Sequence, residues 1–249
     1  MAIVFLIIIF ALIFGSFFTA LVYRLYKQES MVKGRSKCPN CQHVLSVTDL
    51  VPVLSYVFLG GKCRHCHQKI SAYYPLVELG TVVYFLTGYA VYGLTTNYLW
   101  YLIIVSVLYL LLVFDWRYGI IPDVISLPAI ILAMLLGLWQ GQNWLNLLLG
   151  GVIGFLFFGV QYFFSRGRWI GDGDLRLGAL MGLLLGLHYL WLALMIAYIV
   201  GAVVSLLLMA MRDKTLKDQI AFGPFLVMAT WVMLLWGQPI LTWYFSLVF

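Results

Sequence analysis

Eight stretches of this chain, at about residues 2–23, 73–93, 98–114, 123–139, 144–164, 174–187, 189–211 and 221–237, are apolar almost without interruption. A run of about 20 such residues covers the hydrocarbon core of a bilayer. Only a helix satisfies every backbone N–H and C=O within one such segment, so the pattern leaves little choice of secondary structure. The composition agrees: 64% of the 249 residues are hydrophobic and 10% are charged, against about a quarter charged in soluble domains. The expected fold is an all-α polytopic membrane protein of about eight transmembrane helices.

The fifteen Lys and Arg residues give the orientation. Arg24, Lys27, Lys33, Arg35, Lys37, Lys62, Arg64 and Lys69 lie between the first two runs, Arg117 after the third, Arg166 and Arg168 after the fifth, Arg176 at the opening of the sixth, and Arg212, Lys214 and Lys217 after the seventh. The alternate connections at 93–97, 140–143 and 187–189 have none. Short loops rich in Lys and Arg stay in the cytosol, so eight spans with both termini outside place every positive charge on one side. The first run has its basic residues after it and none before it, which reads as a retained anchor with its N-terminus outside rather than a cleaved signal. A net charge of +6 spread over membrane-flanking loops matches orientation and anionic lipid, and nucleic-acid binding is not expected.

Residues 27–72 form the one long polar stretch, and they hold all four cysteines and His43, His65 and His67. Cys38-Pro-Asn-Cys41 and Cys63-Arg-His-Cys66 are two C-x-x-C knuckles with nearly the separation of a zinc ribbon. In a reducing cytosol a disulfide is disfavoured. Four cysteines complete the tetrahedral shell of a structural zinc and leave no open position for catalysis. The histidines read as loop residues. Leu50 to Tyr56, between the knuckles, would pack against the metal site or the membrane surface. The expected division is a first transmembrane helix at 1–26, a cytosolic four-cysteine domain at 27–72, and a membrane domain at 73–249.

Acids inside or at the edge of apolar runs are expensive and therefore functional suspects. Asp115 ends the third run and Asp174, in Gly171-Asp172-Gly173-Asp174, opens the sixth, both on the cytosolic side; each is followed two positions on by an arginine. Two carboxyl groups that share a proton can hydrolyse a peptide bond, one activating water while the other protonates or polarises the carbonyl. The glycines beside Asp174 would let a peptide backbone approach. Asp123, after Ile121-Pro122, suits a helix N-cap, and Asp172 is either a cap or a third acid of the site. Asp213 and Asp218 lie among basic residues and read as solvated. Glu78, inside the second run, needs a partner or a polar cavity. The stripe Gly178-x-x-x-Gly182-x-x-x-Gly186 either packs a neighbouring helix closely or reflects the ordinary glycine content of membrane helices.

Taken together, these residues resemble the bifunctional type IV prepilin peptidases, membrane aspartic proteases of the GxGD type. The resemblance rests on Phe14-Gly15-Ser16-Phe17 with Tyr23-Arg24-Leu25, on the two knuckles with Asp49-Leu50-Val51-Pro52 and Leu54-Ser55-Tyr56, and on Tyr74-Pro75-Leu76-Val77-Glu78. It also rests on Phe114-Asp115 followed by Ile121-Pro122-Asp123, and on Gly171-x-Gly173-Asp174-Leu175-Arg176-Leu177. Thr19, Tyr26 and Arg176 stand where the family usually has Asn, Pro and Lys. The resemblance implies that Asp115 and Asp174 are the catalytic pair of residues 73–249, an aspartic peptidase domain in the bacterial cytoplasmic membrane. It implies cleavage of a basic leader from prepilin or pseudopilin precursors at the cytosolic face, with the precursor's apolar helix in the lipid bilayer. It also implies N-methylation of the exposed residue with S-adenosylmethionine as donor, for which Glu78 is the candidate contact to donor or substrate amine. A proton- or cation-coupled transporter would use similar acids, although no internal repeat of the transporter kind is evident. A non-catalytic pilus-assembly scaffold is the third reading.

In a cysteine-free variant carrying single introduced cysteines, an impermeant thiol reagent should label the N-terminus and the 140–143 loop from outside and leave the stretch from 38 to 69 unlabelled. Efficient outside labelling of the 27–72 loop would overturn the orientation.

Overall fold

The computed structural model describes residues 1–30, 34–211 and 221–248; Lys33, Arg212, Asp213, Lys214, Lys217 and Asp218 lie outside them. The described residues are helical, with no strand and two isolated β-bridges. In chain order the helices are α1 (Ala2–Tyr26), α2 (Leu54–Phe58), α3 (Tyr73–Tyr92), α4 (Thr96–Tyr118), α5 (Asp123–Trp139), α6 (Trp144–Ser165), α7 (Asp172–Ala210) and α8 (Gly223–Val248), with a 3-10 turn at Val47–Leu50 before α2. Six are long and apolar enough to cross a membrane, and α5 is an apolar helix of 17 residues. The expected all-α polytopic fold with a small cysteine domain is therefore what the chain adopts.

Two compact units form, Met1–Leu102 and Ile103–Phe249, with α4 contributing to both. In the first, α1 buries Ile7, Ala11, Gly15, Phe18 and Val22, a spacing of three and four residues that makes one helix face. That face meets α3. Phe10 and Phe14 pack on Phe85 with ring centroids 6.2 and 6.0 Å apart. Gly15 lies so near α3 that a Cβ there would sit 2.7 Å from the Glu78 Cα. At the other end of α3 the Tyr101 ring covers Gly88, and the Tyr101 and Tyr98 hydroxyls donate to the Tyr84 and Phe85 carbonyls at 2.7 and 3.1 Å. Capping carbonyls of a neighbouring helix in this way gives each buried phenol the partner it needs.

The second unit is organised by backbone contact between α6 and α7. A Cβ on Gly150, Gly154, Gly178 or Gly182 would run into the facing helix's backbone, so the stripe at 178 and 182 does pack closely, as small residues in membrane helices allow. Gly186 does something else. With φ 67° and ψ 175° it interrupts α7, in a region that L side chains rarely adopt. Asn146 of α6 accepts the freed Leu187 N–H at 3.1 Å.

Contacts on either side of Gly186 show that the chain reverses there. Residues 172–185 run antiparallel to α6, since Gly154 faces Gly178 and Gly150 faces Gly182. Beyond the break Phe157 meets Trp191 and Tyr198, and the Tyr198 hydroxyl donates to Gln161 at 2.9 Å, so residues 187–210 return toward the α6 C-terminus. The sixth and seventh predicted runs are thus the two arms of a helical hairpin. The eighth run reaches further than predicted, to Val248, with a kink at Trp236 three residues before Pro239, where the ring clashes with the preceding turn.

Candidate active site and cysteine centre

Asp115 and Asp174 come together in the second unit. Asp115 is on the last turn of α4 and Asp174 on the first turn of α7. Both are buried, at 6% and 7% exposure, and they lie within electrostatic reach of each other. Asp174 is held by its own helix start, its Oδ2 accepting the Gly171 N–H at 3.2 Å, a carboxylate reaching back to a free N-terminal donor. Asp115 is approached by the Gly223 N–H of α8. Its Oδ2 is buried with no hydrogen-bond partner among the described residues. A buried polar atom left unpaired is costly unless function uses it.

Gly223 has no counterpart in the sequence-based site. A Cβ there would stand 2.5 Å from the Asp115 Oδ2, so glycine lets the start of α8 close over the carboxylate. The signal was the Gly223-Pro224 pair opening the eighth run, since a Gly-Pro step marks a turn and proline favours a first helical turn. The glycines beside Asp174 also divide their work differently from expectation. Gly171 is open toward the site, but a Cβ on Gly173 would strike Ile121 at 2.8 Å. Gly173 therefore serves packing of α7 on the 119–122 turn.

Neither Asp123 nor Asp172 is an N-cap, because Pro122 and Gly171 occupy those positions and both acids are first helical residues. Both instead pair with Arg176. One guanidinium binds Asp123, binds Asp172 Oδ2 at 2.7 Å and donates to the Ile121 carbonyl at 3.1 Å. The acids are 62% and 71% exposed, so the pairs add little energy. Their effect is geometric: the planar fork ties the turn after Asp115 to the first turn of α7, which carries Asp174. A lysine ammonium has no such fork.

The other candidates lie in the first unit. Glu78 is buried, with Oε2 accepting the Val53 N–H at 2.7 Å and with the Ser16 hydroxyl as a second partner. The partner required of an acid within a span is thus a loop backbone and a residue of α1. The four cysteine Sγ atoms lie within 4.8 Å of one another and form no disulfide. Cys38 Sγ is 3.9 Å from Cys66 Sγ, close to the edge of about 3.8 Å set by tetrahedral Zn–S bonds.

The two knuckles repeat one geometry. Lys37 bridges Val44 and Lys62 bridges Lys69. The Cys38 N–H donates to the His43 carbonyl at 3.0 Å and the Cys63 N–H to the Gln68 carbonyl at 2.9 Å. Backbone N–H groups aimed at sulfur favour thiolate: that of Gln68, helped by the Asn40 amide, holds Cys66 down to about 6, and that of Cys41 lowers Cys38. Cys38 and Cys66 are thus shifted toward the thiolate that a metal binds, whereas desolvation and the neighbouring sulfurs of Cys38 and Cys66 push Cys41 up to about 11. His43 and His65 stack on each other, centroids 3.5 Å apart, and stand outside the cysteine group. Between the knuckles Asp49 accepts from Ser46 Oγ at 2.6 Å and from Arg64 Nε at 2.8 Å, contacts that hold its carboxyl near 2.

Comparison with known proteins finds relatives over nearly the whole chain. Residues 9–92 match the family model described as the bacterial peptidase A24 N-terminal domain, and residues 102–206 match that of the type IV leader peptidase family. A protein of Aeromonas salmonicida named prepilin leader peptidase/N-methyltransferase is 30% identical over 98% of this chain and 94% of its own length. Proteins of the same name from Bacillus subtilis and Pseudomonas aeruginosa are 29% identical over 96% of both chains, and 31% identical over 94% of this chain and 90% of theirs. No solved structure matches significantly. The matches extend over residues of both units, and the chain belongs to the type IV leader peptidase family.

Proposed function

We propose that this chain, a multi-pass protein of the bacterial inner membrane, cleaves the basic leader peptide from type IV prepilin precursors at the cytosolic face and N-methylates the new N-terminus. The observation that carries the reading is the pair of buried carboxylates, Asp115 and Asp174, within electrostatic reach of each other on two helix ends. In a dyad of this kind one carboxylate takes a proton from water as it attacks the scissile carbonyl, and the carboxyl of the other gives its proton to the carbonyl oxygen. Gly171 leaves that side of Asp174 open to an extended peptide. The one-sided Lys and Arg pattern supports a cytosolic site, where a basic leader is retained while the apolar segment behind it stays in the bilayer. Residues 73–249 then form the peptidase part and 27–72 the cytosolic domain.

Cys38, Cys41, Cys63 and Cys66 would hold one structural zinc, which closes the two knuckles into one body. Metal analysis of the purified protein should find about one zinc per chain, and a quadruple Cys→Ser variant should lose both the metal and thermal stability. Full stability without the cysteines would exclude the structural role.

S-adenosylmethionine supplies the methyl group in the second activity. Glu78 is proposed as the contact to that donor or to the substrate amine, since a carboxylate suits either a sulfonium or an ammonium. Mass spectrometry of precursor processed by Glu78→Ala should find it cleaved but undermethylated. Normal methylation removes Glu78 from this role.

Asp→Asn keeps size and hydrogen bonding but removes the titratable proton. Asp115→Asn or Asp174→Asn should each slow precursor cleavage at least about a thousandfold, on the order of 4 kcal/mol of transition-state stabilisation. The double variant should be little slower, because members of one catalytic unit are not additive. A membrane-inserted Asn variant that cleaves at near the unmodified rate would remove that residue from the dyad.

A further inference from the structure

Between the cysteine knuckles the chain shows solvent an unusual amount of apolar surface. Val47 is 79% exposed, Leu54 54%, Val57 65% and Phe58 83%, with Leu50 and Val51 near 40%. The one charged side chain of the segment, Asp49, is turned away toward Ser46 and Arg64. A contiguous apolar face of this kind on a small polar domain marks a contact surface.

Three observations say what covers it. The first is depth. The Val53 N–H is bonded at 2.7 Å to Glu78, which lies about 7 Å along the helix from the start of α3 at 1.5 Å per residue. This hydrogen bond draws the 51–53 turn down beside the second turn of a helix long and apolar enough to span the membrane. The turn is also conformationally fixed. Val53 has φ 61° and ψ −50°, a rare state for a β-branched residue that only surrounding contacts can hold. Besides Glu78, the Ser55 N–H bonds the Val51 carbonyl and the Val57 N–H bonds the Val53 carbonyl, both at 3.0 Å.

Continuity is the second. Leu76 and Leu79, on either side of Glu78 in α3, are 53% and 48% exposed, so the apolar face adjoins helix surface that meets lipid. Charge is the third. Immediately after α2 come Lys62, Arg64 and Lys69, all exposed, and basic groups beside an apolar insertion favour an anionic headgroup layer.

We propose that residues 47–58 lie in the interface of an anionic bilayer, with Val57 and Phe58 inserted below the headgroups and Lys62 and Lys69 among them. The cysteine domain is then held to the membrane by its own middle as well as by α1 and α3. The test uses full-length protein in vesicles of phosphatidylethanolamine and phosphatidylglycerol, with the photoreactive p-benzoylphenylalanine replacing Phe58, Val57 or, as control, the exposed His43. After irradiation, mass spectrometry should find phospholipid adducts at 58 and 57 and none above background at 43. Position 58 keeps an aromatic ring, and position 57 gives an independent reading. Absence of lipid adducts at both, equal yield at 43, or crosslinking of position 58 to a second copy of the chain would each overturn the proposal.

Discussion

Backbone-to-backbone packing of α6 on the first arm of α7 is the contact on which the second unit depends. Lipid tails are as apolar as leucine, so burial alone gives these helices no reason to associate. Close approach does, because it multiplies van der Waals contacts, and at Gly150, Gly154, Gly178 and Gly182 nothing larger than hydrogen fits. The arm whose first turn carries Asp174 is thereby fixed against α6. Gly173 on Ile121 and Arg176 on Asp123 then bring the turn after Asp115 to the same helix end. Gly223 closes from α8. Short-range interactions between elements far apart in sequence therefore produce the encounter of the two carboxylates.

What was legible in the sequence was whatever depends on hydrophobic length and residue type. The helical runs, the paired knuckles and the two acids at helix ends could be named because each has a local signature. The reversal within α7 was legible as a boundary, but its cause was not: Gly186 continues the spacing of Gly178 and Gly182, and only the Asn146 bond to Leu187 and the positive φ separate a turn from a packing position. Asp123 and Asp172 had the residue type and place of caps. A guanidinium 53 and 4 residues away took them instead, a competition that local capping rules do not describe. Gly223 was missed because its role exists only in relation to Asp115, more than a hundred residues earlier.

Glu78 shows how one acid can serve several elements. An ionisable group within a span must find partners or it destabilises the fold, and here they come from α1 through Ser16 and from the loop through Val53. Gly15 permits this by letting α1 lie against the Glu78 backbone. The Phe14-Gly15-Ser16 motif and the Val77-Glu78 motif are thus two sides of one contact, although in sequence they look independent.

The reversal at Gly186 also bears on the membrane around the protein. Residues 172–185 make an arm of about 21 Å at 1.5 Å per residue, against a hydrocarbon core of about 30 Å. Such an arm is shorter than the core is thick, and a short element is accommodated by local thinning of the bilayer or by lying recessed within it. Asp174 is at the end of this arm. If the arm lies recessed, its first turn, with Asp174, sits below the level at which a full-length span would begin.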